Sequence, residues 1–203
     1  MNKYDLIAKS SSDLELLCNF LSGPKEERLE RARKIVFAAG GLRGLLNNPQ
    51  HWLTPVECDK IAALKELFTR FLGEQLNRSN ALTSPELVEK YLQAKLRDLD
   101  YEVFGAIYMD SQNRVICYEE IFRGTIDSAA VYPREVLKRA LALECKAIIL
   151  VHNHPSGVAE PSAADRAITE RLQKALDLVD VRVLDHIIVG DGYCESFARR
   201  GYI

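Results

Sequence analysis

The hydrophobic pattern of the chain changes its period near residue 83, and that change limits the folds open to it. Up to about Leu82 the apolar residues recur at helical spacing; beyond it, short runs rich in β-branched and aromatic residues alternate with helical stretches. Residues 13–17 open a helix with Ser12 as N-cap, residues 26–39 form a second stopped by Gly40-Gly41, and residues 42–46 a short third. Thr54-Pro55-Val56-Glu57 has the order of a helix start: a cap, proline at the first position and an acid in the first turn. The helix it opens carries an apolar stripe of Ile61, Leu64, Leu67, Phe68 and Phe71, and Asn77-Arg78-Ser79-Asn80 reads as a linker.

After Ser84, residues 85–99 read as an amphipathic helix with Thr83 or Ser84 as its cap. Residues 101–109 and 114–122 read as two strands joined by Asp110-Ser111-Gln112-Asn113, a hairpin signal. A helix over 132–145, a strand over 147–151, a long helix over 162–179, a strand over 183–189 and a short last strand near 193–197 complete the pattern. The expectation is a small all-helical domain over 1–82, followed over 83–203 by an α/β domain with a central mixed β-sheet flanked by helices.

The bulk properties exclude more than they select. With 27 Lys and Arg against 29 Asp and Glu, the net charge of −2 gives no general pull toward nucleic acid or membrane. No apolar run is long enough to span a bilayer and the first residues lack a signal-peptide core, so cytoplasmic residence without membrane partners is expected. The five cysteines, Cys18, Cys58, Cys117, Cys145 and Cys194, are scattered, odd in number and without a C-x-x-C pair; reduced thiols are expected.

The chemistry concentrates in His152-Asn153-His154-Pro155-Ser156-Gly157, which follows the apolar run Ala147-Ile148-Ile149-Leu150-Val151. Residues two apart in a strand face the same way, so His152 and His154 form a ready chelate for a transition metal, with zinc the commonest candidate. A hydrolytic zinc site takes three protein ligands and leaves a position for water. Asp165 can supply the third ligand, with the loop from Pro155 to Pro161 folding back over the strand end. Ser162-x-x-Asp165 also reads as a capping box, and a capping hydroxyl is expected to donate less freely to a substrate. Asn153 reads first as a turn residue and second as a group supporting a ligand. His186 reads as a satisfied core histidine ahead of a ligand-supporting one, and Asp127 and Ser128 as possible cleft residues.

The pattern H-x-H-x7-S-x-x-D, carried by His152, His154, Ser162 and Asp165, resembles the motif of the JAMM (MPN-type) metalloproteases. His152-Asn153-His154-Pro155-Ser156-Gly157, Pro161-Ser162, Leu184-Asp185-His186, Val131-Tyr132-Pro133-Arg134-Glu135 and Phe197-Ala198-Arg199-Arg200-Gly201 resemble the bacterial RadC-like proteins more closely. The resemblance implies a cytidine-deaminase-like JAMM/MPN domain. It implies that His152, His154 and Asp165 hold Zn2+, that Ser162 donates a hydrogen bond to the oxyanion, and that an upstream glutamate is general base and then general acid. In the family that glutamate lies on the first strand, in a context matched by Glu102-Val103-Phe104-Gly105. Glu119, Glu120 and Glu135 are weaker candidates.

The activity so implied is hydrolysis of a peptide or isopeptide bond in a protein or peptide substrate. A DNA-associated accessory protein in repair or recombination, or a catalytically idle metal-bound interaction module, are the alternatives, and the sequence leaves room for a homo-oligomer. RadC-like proteins carry an N-terminal region resembling a helix-hairpin-helix, which Ser12-Asp13-Leu14-Glu15-Leu16-Leu17 and Gly40-Gly41-Leu42 echo. The hairpin here reads Leu53-Thr54-Pro55-Val56-Glu57-Cys58, without the phosphate-approaching glycines and with Glu57 and Asp59 set against phosphate. Residues 1–82 hold 12 Lys and Arg and 10 Asp and Glu, a net charge of +2 that makes no basic face.

Overall fold

Five strands form one sheet in the order β2-β1-β3-β4-β5: β1 (Val103–Met109), β2 (Val115–Arg123), β3 (Ala147–Asn153), β4 (Arg182–Val189) and β5 (Cys194–Ser196). The computed structural model that defines them describes residues 12–77, 80–81, 84–124 and 131–203. β1 runs antiparallel to both β2 and β3, β3 parallel to β4, and β4 antiparallel to β5, so the sheet is mixed as expected. The β1–β2 turn is set by Asp110, whose carboxylate accepts from the N–H of Gln112 at 2.8 Å and of Arg114 at 3.0 Å.

Helices cover both faces because the central strands are apolar on both. On one face Val88, Leu92 and Leu96 pack with Val103, Ile107, Ile149, Val151 and Ile187. The first three come from the helix Pro85–Leu96, at whose N-cap Ser84 stands without a capping side-chain bond; Thr83 lies outside the described residues. On the other face Phe104, Ala106, Tyr108, Ile148 and Leu150 pack with Val136 and Ala140 of the helix Pro133–Ala142, and with Leu172 and Leu176 of the helix Ala163–Asp177. The strand period of two thus assigns His152, in register after Ile148 and Leu150, to the face covered by Ala163–Asp177.

The described residues up to Leu67 and those from Phe68 onward form separate compact units, the division falling inside the helix Pro55–Asn77. The first unit holds α1 (Asp13–Cys18), α2 (Lys25–Ala38), α3 (Leu42–Asn47), a 3-10 turn at Pro49–His51, and the start of α4 (Pro55–Asn77). In chain order the remaining helices are α5 (Pro85–Leu96), α6 (Pro133–Ala142), α7 (Ala163–Asp177) and α8 (Phe197–Arg200). Leu17, Leu21, Ala32, Ile35, Leu45, Leu53 and Ile61 form the core of the first unit.

Two expectations change in this region. The apolar stripe of α4 is not a core face: Ile61 is buried, but Leu64, Leu67, Phe68 and Phe71 are each at least half exposed. Glu57 does not present its charge to solvent. It is fully buried and accepts two hydrogen bonds from Arg31 at 2.7 Å and one each from the N–H of Ser22 and Thr54. The Arg31 guanidinium, acting against burial, holds its carboxyl down at about 2. The acid that was set against phosphate is therefore an internal tie. All five thiols are free, and among the described residues no helix is long and apolar enough to cross a membrane.

Candidate metal centre

The C-terminal end of β3 and the N-terminus of α7 bring three ligand types together. The available donor atoms of His152, His154 and Asp165 all lie within 4.8 Å of one another. His152 is the penultimate residue of β3, which runs two residues beyond the expected strand, and His154 follows directly. Their Nε2 atoms are 2.8 Å apart. Asp165 is the third helical residue of α7, where Ser162 caps the helix in a reciprocal box: Asp165 N–H donates to Ser162 Oγ at 3.1 Å, and Ser162 N–H to Asp165 Oδ2 at 2.7 Å.

The cap leaves Asp165 half used. Its Oδ1 is buried, accepts no hydrogen bond and lies 3.2 Å from His152 Nε2. Oδ2 lies 3.6 Å from His154 Nε2. Burial works against the charge of this carboxylate, but the two imidazoles and Ser162 outweigh it and hold the group well below the usual carboxylate range. Burial lowers the proton affinity of His152, with Asp165 pulling the other way. Asp165 raises that of the partly buried His154.

The opposite ring atoms are also engaged. His154 Nδ1 lies 2.6 Å from the carbonyl of Val158, which can only accept, so this nitrogen carries a hydrogen and leaves Nε2 as the ring's one candidate metal ligand. The loop folds back as expected: Gly157 at φ +83° turns it, its N–H donates to the His154 carbonyl, and Val158 returns to the ring. His152 Nδ1 lies 2.9 Å from Nε2 of His186, and His186 Nδ1 lies 2.6 Å from the Thr169 hydroxyl. Two imidazole Nε2 atoms 2.8 Å apart thus face each other beside a carboxylate oxygen that makes no hydrogen bond. The donor set of two imidazoles and one carboxylate fits a divalent transition metal.

Glu102 falls outside β1, which begins one residue later instead of at the expected residue 101, and is partly buried. The pairing of β1 with β3 ends at Phe104 opposite His152, so the residues that lead into β1 lie beside the end of β3. The charge of Glu102 acts on both imidazoles, favouring their protonated forms. Its backbone is clamped on both sides. Gly124 N–H donates to the Glu102 carbonyl at 3.0 Å. Asn153, expected as a turn residue, instead sits at the end of β3, 1% exposed, with Oδ1 accepting from Val103 N–H at 2.8 Å and Nδ2 donating to the Tyr101 carbonyl at 3.0 Å. The residue between the two histidines thus grips the peptide groups on either side of Glu102.

The competing acids are occupied elsewhere. Glu119 pairs with Arg139, Glu120 with Arg123 at 2.8 Å, and the exposed Glu135 with Arg134 at 3.4 Å. Ser162 is exposed, and its cap uses the hydroxyl oxygen as an acceptor from Asp165 N–H, while the same side chain helps to hold the Asp165 carboxyl down. Asp127 and Ser128 lie outside the described residues. Asp185 accepts from Ser196 Oγ at 2.6 Å and from Ala198 N–H at 2.9 Å, tying β4 to α8. Thr169 was not picked out from the sequence. Its signal is position: Asp165, Thr169, Leu172 and Leu176 form the buried stripe of α7, so two polar residues occupy the site end of an apolar face.

A mixed sheet flanked by helices, with two histidines and an aspartate converging at one strand end, defines an α/β domain whose strand end could hold a metal ion. The model of the RadC-like JAB domain matches residues 82–202. A UPF0758 protein of Chromohalobacter salexigens is 50% identical over 204 aligned residues, covering 97% of this chain and 91% of that protein. UPF0758 proteins of Tolumonas auensis and Halorhodospira halophila are each 48% identical, covering 97% and 95% of this chain and 91% and 89% of theirs. The chain belongs to the RadC-like JAB-domain family.

Proposed function

We propose that this protein is a zinc-dependent hydrolase of the JAMM type that cleaves a peptide or isopeptide amide bond. The observation that carries this reading is the convergence of His152 Nε2, His154 Nε2 and the hydrogen-bond-free Asp165 Oδ1, with the backbone around Glu102 held by Asn153, the residue between the two histidines. Zinc bound there supplies a Lewis acid that makes water nucleophilic at neutral pH. The chain's residues supply the rest. Glu102, held by Asn153 and Gly124, takes the proton of the attacking water and returns it to the departing amine. Ser162 donates its hydroxyl hydrogen to the carbonyl oxygen as negative charge develops there. His154, at the more exposed side of the cluster, marks the side from which substrate approaches.

The backbone of Glu102, held by Asn153 and Gly124 beside the histidine-bearing strand end, favours an active site over an idle metal-bound module. The test compares new amino termini in a proteome incubated with zinc-loaded wild type or with Glu102→Gln. Cleavage products that require wild type and vanish with Glu102→Gln are expected. Products that persist with Glu102→Gln remove Glu102 as the base.

A further inference from the structure

We propose that Thr169 and His186 are positioning residues that fix the tautomer of His152 and so aim its Nε2 lone pair into the Asp165–His154 cluster. The proposal rests on the metal-site reading above and extends it to two residues outside the H-x-H-x7-S-x-x-D pattern.

The polarity of the chain follows from hydrogen counting. The Thr169 hydroxyl has one hydrogen and lies 2.6 Å from two atoms, the carbonyl oxygen of Asp165 and Nδ1 of His186. A carbonyl only accepts, so the hydroxyl hydrogen goes to Asp165. His186 Nδ1 must then bring its own hydrogen to the Thr169 oxygen. A neutral His186 is left with a lone pair on Nε2, which lies 2.9 Å from His152 Nδ1. His152 must donate there, and its lone pair is forced onto Nε2, the atom facing Asp165 Oδ1 and His154 Nε2.

The opposite polarity would put a hydrogen on His152 Nε2 and close that atom to a cation. It would also press the Thr169 oxygen against the Asp165 carbonyl with no hydrogen between them.

Burial makes the chain obligatory. His152 and His186 are fully buried and Thr169 is 2% exposed, so water cannot stand in for a missing partner. The rings of Phe104 and Phe197, 5.6 and 4.7 Å from His186, offer no polar group. The relay also closes on itself: it starts at the backbone carbonyl of Asp165 and ends at the imidazole facing that residue's carboxylate. One turn of α7 therefore sets both the third ligand and the orientation of the first. Partners of this kind are where ligand histidines acquire their tautomer and ring angle.

The test uses the full chain, zinc affinity by chelator competition, and histidine tautomers by 15N–1H correlation. Thr169→Val and His186→Phe are expected to weaken zinc binding by about 10- to 100-fold. Thr169→Ser and His186→Gln, whose hydroxyl and amide can restore the polarity, should bind within a few-fold of wild type, while all four keep the wild-type circular dichroism. In wild type, His186 should carry its hydrogen on Nδ1 with or without zinc. His186 protonated on Nε2, or Thr169→Val and His186→Phe binding zinc as tightly as wild type, would overturn the relay while leaving the metal site standing. A wild type that binds no zinc removes the metal-site reading instead, and the His186 tautomer then decides the relay alone. Should a variant fail to fold, the wild-type tautomer still decides.

Discussion

Replacing Asn153 by alanine separates the support of Glu102 from the support of the metal. The carboxamide makes two hydrogen bonds to backbone, at 2.8 Å to Val103 N–H and 3.0 Å to the Tyr101 carbonyl. Val103 is fully buried, so its N–H would be left without a partner, a loss of about 1 to 3 kcal/mol. Tyr101 is exposed, and water can replace the lost donor at its carbonyl, so this bond adds only about 0.5 to 1 kcal/mol. The sum, about 1.5 to 4 kcal/mol, corresponds to a fall of roughly 3 to 16 °C in Tm for a chain of this size. His152 and His154 do not hydrogen-bond through the Asn153 side chain, so zinc content should stay at wild type. Thermal unfolding of the zinc-loaded protein, paired with metal analysis, reads both quantities. A Tm within about 1 °C of wild type, or loss of zinc alongside the destabilisation, would refute the assignment of Asn153 to the Glu102 clamp.

Glu57→Gln should destabilise the chain by about 3 kcal/mol at neutral pH in urea unfolding, because Arg31 loses its buried partner. The folded carboxyl titrates at about 2, below its ordinary value of 4.5, so the stabilisation is present above pH 4.5 and lost as pH falls toward 2. The gap between wild type and variant should therefore close over that interval; a pH-independent gap contradicts the ion pair. Ser162→Ala should lower stability by about 1 kcal/mol through loss of the cap while leaving zinc content unchanged, and a loss of metal would show that Ser162 does more than cap and donate. Gly157→Ala forces a side chain onto a residue at φ +83°, with its Cβ 2.9 Å from that of Asp191. Strain of about 1 to 2 kcal/mol should loosen the turn that holds Val158 to His154, read as weaker zinc binding in chelator competition.

The sheet, its flanking helices and the His152–His154–Asp165 cluster were legible because each rests on local spacing. A strand period of two puts two histidines on one side, and a capping pattern puts an acid in the first turn of the next helix. The support of that cluster was not legible, because it depends on which strands are neighbours. His186 reaches His152 only because β4 lies parallel to β3, with His186 opposite Leu150 on the face that His152 shares. Asn153 looked like a turn residue because proline and glycine follow it. β3 runs on through Asn153, and its carboxamide meets the residues flanking Glu102 only because β1 pairs antiparallel beside it. The stripe on α4 misled in the other direction: helical spacing identifies an apolar face but not what, if anything, covers it.

The central claim is that His152, His154 and Asp165 hold one divalent metal ion. Zinc titration of the metal-free protein at neutral pH, with bound metal counted by mass spectrometry, tests it most directly. The account predicts about one zinc per wild-type chain and little or none for His152→Ala or Asp165→Ala. A wild type that takes up no zinc, or variants that bind as wild type does, would contradict it.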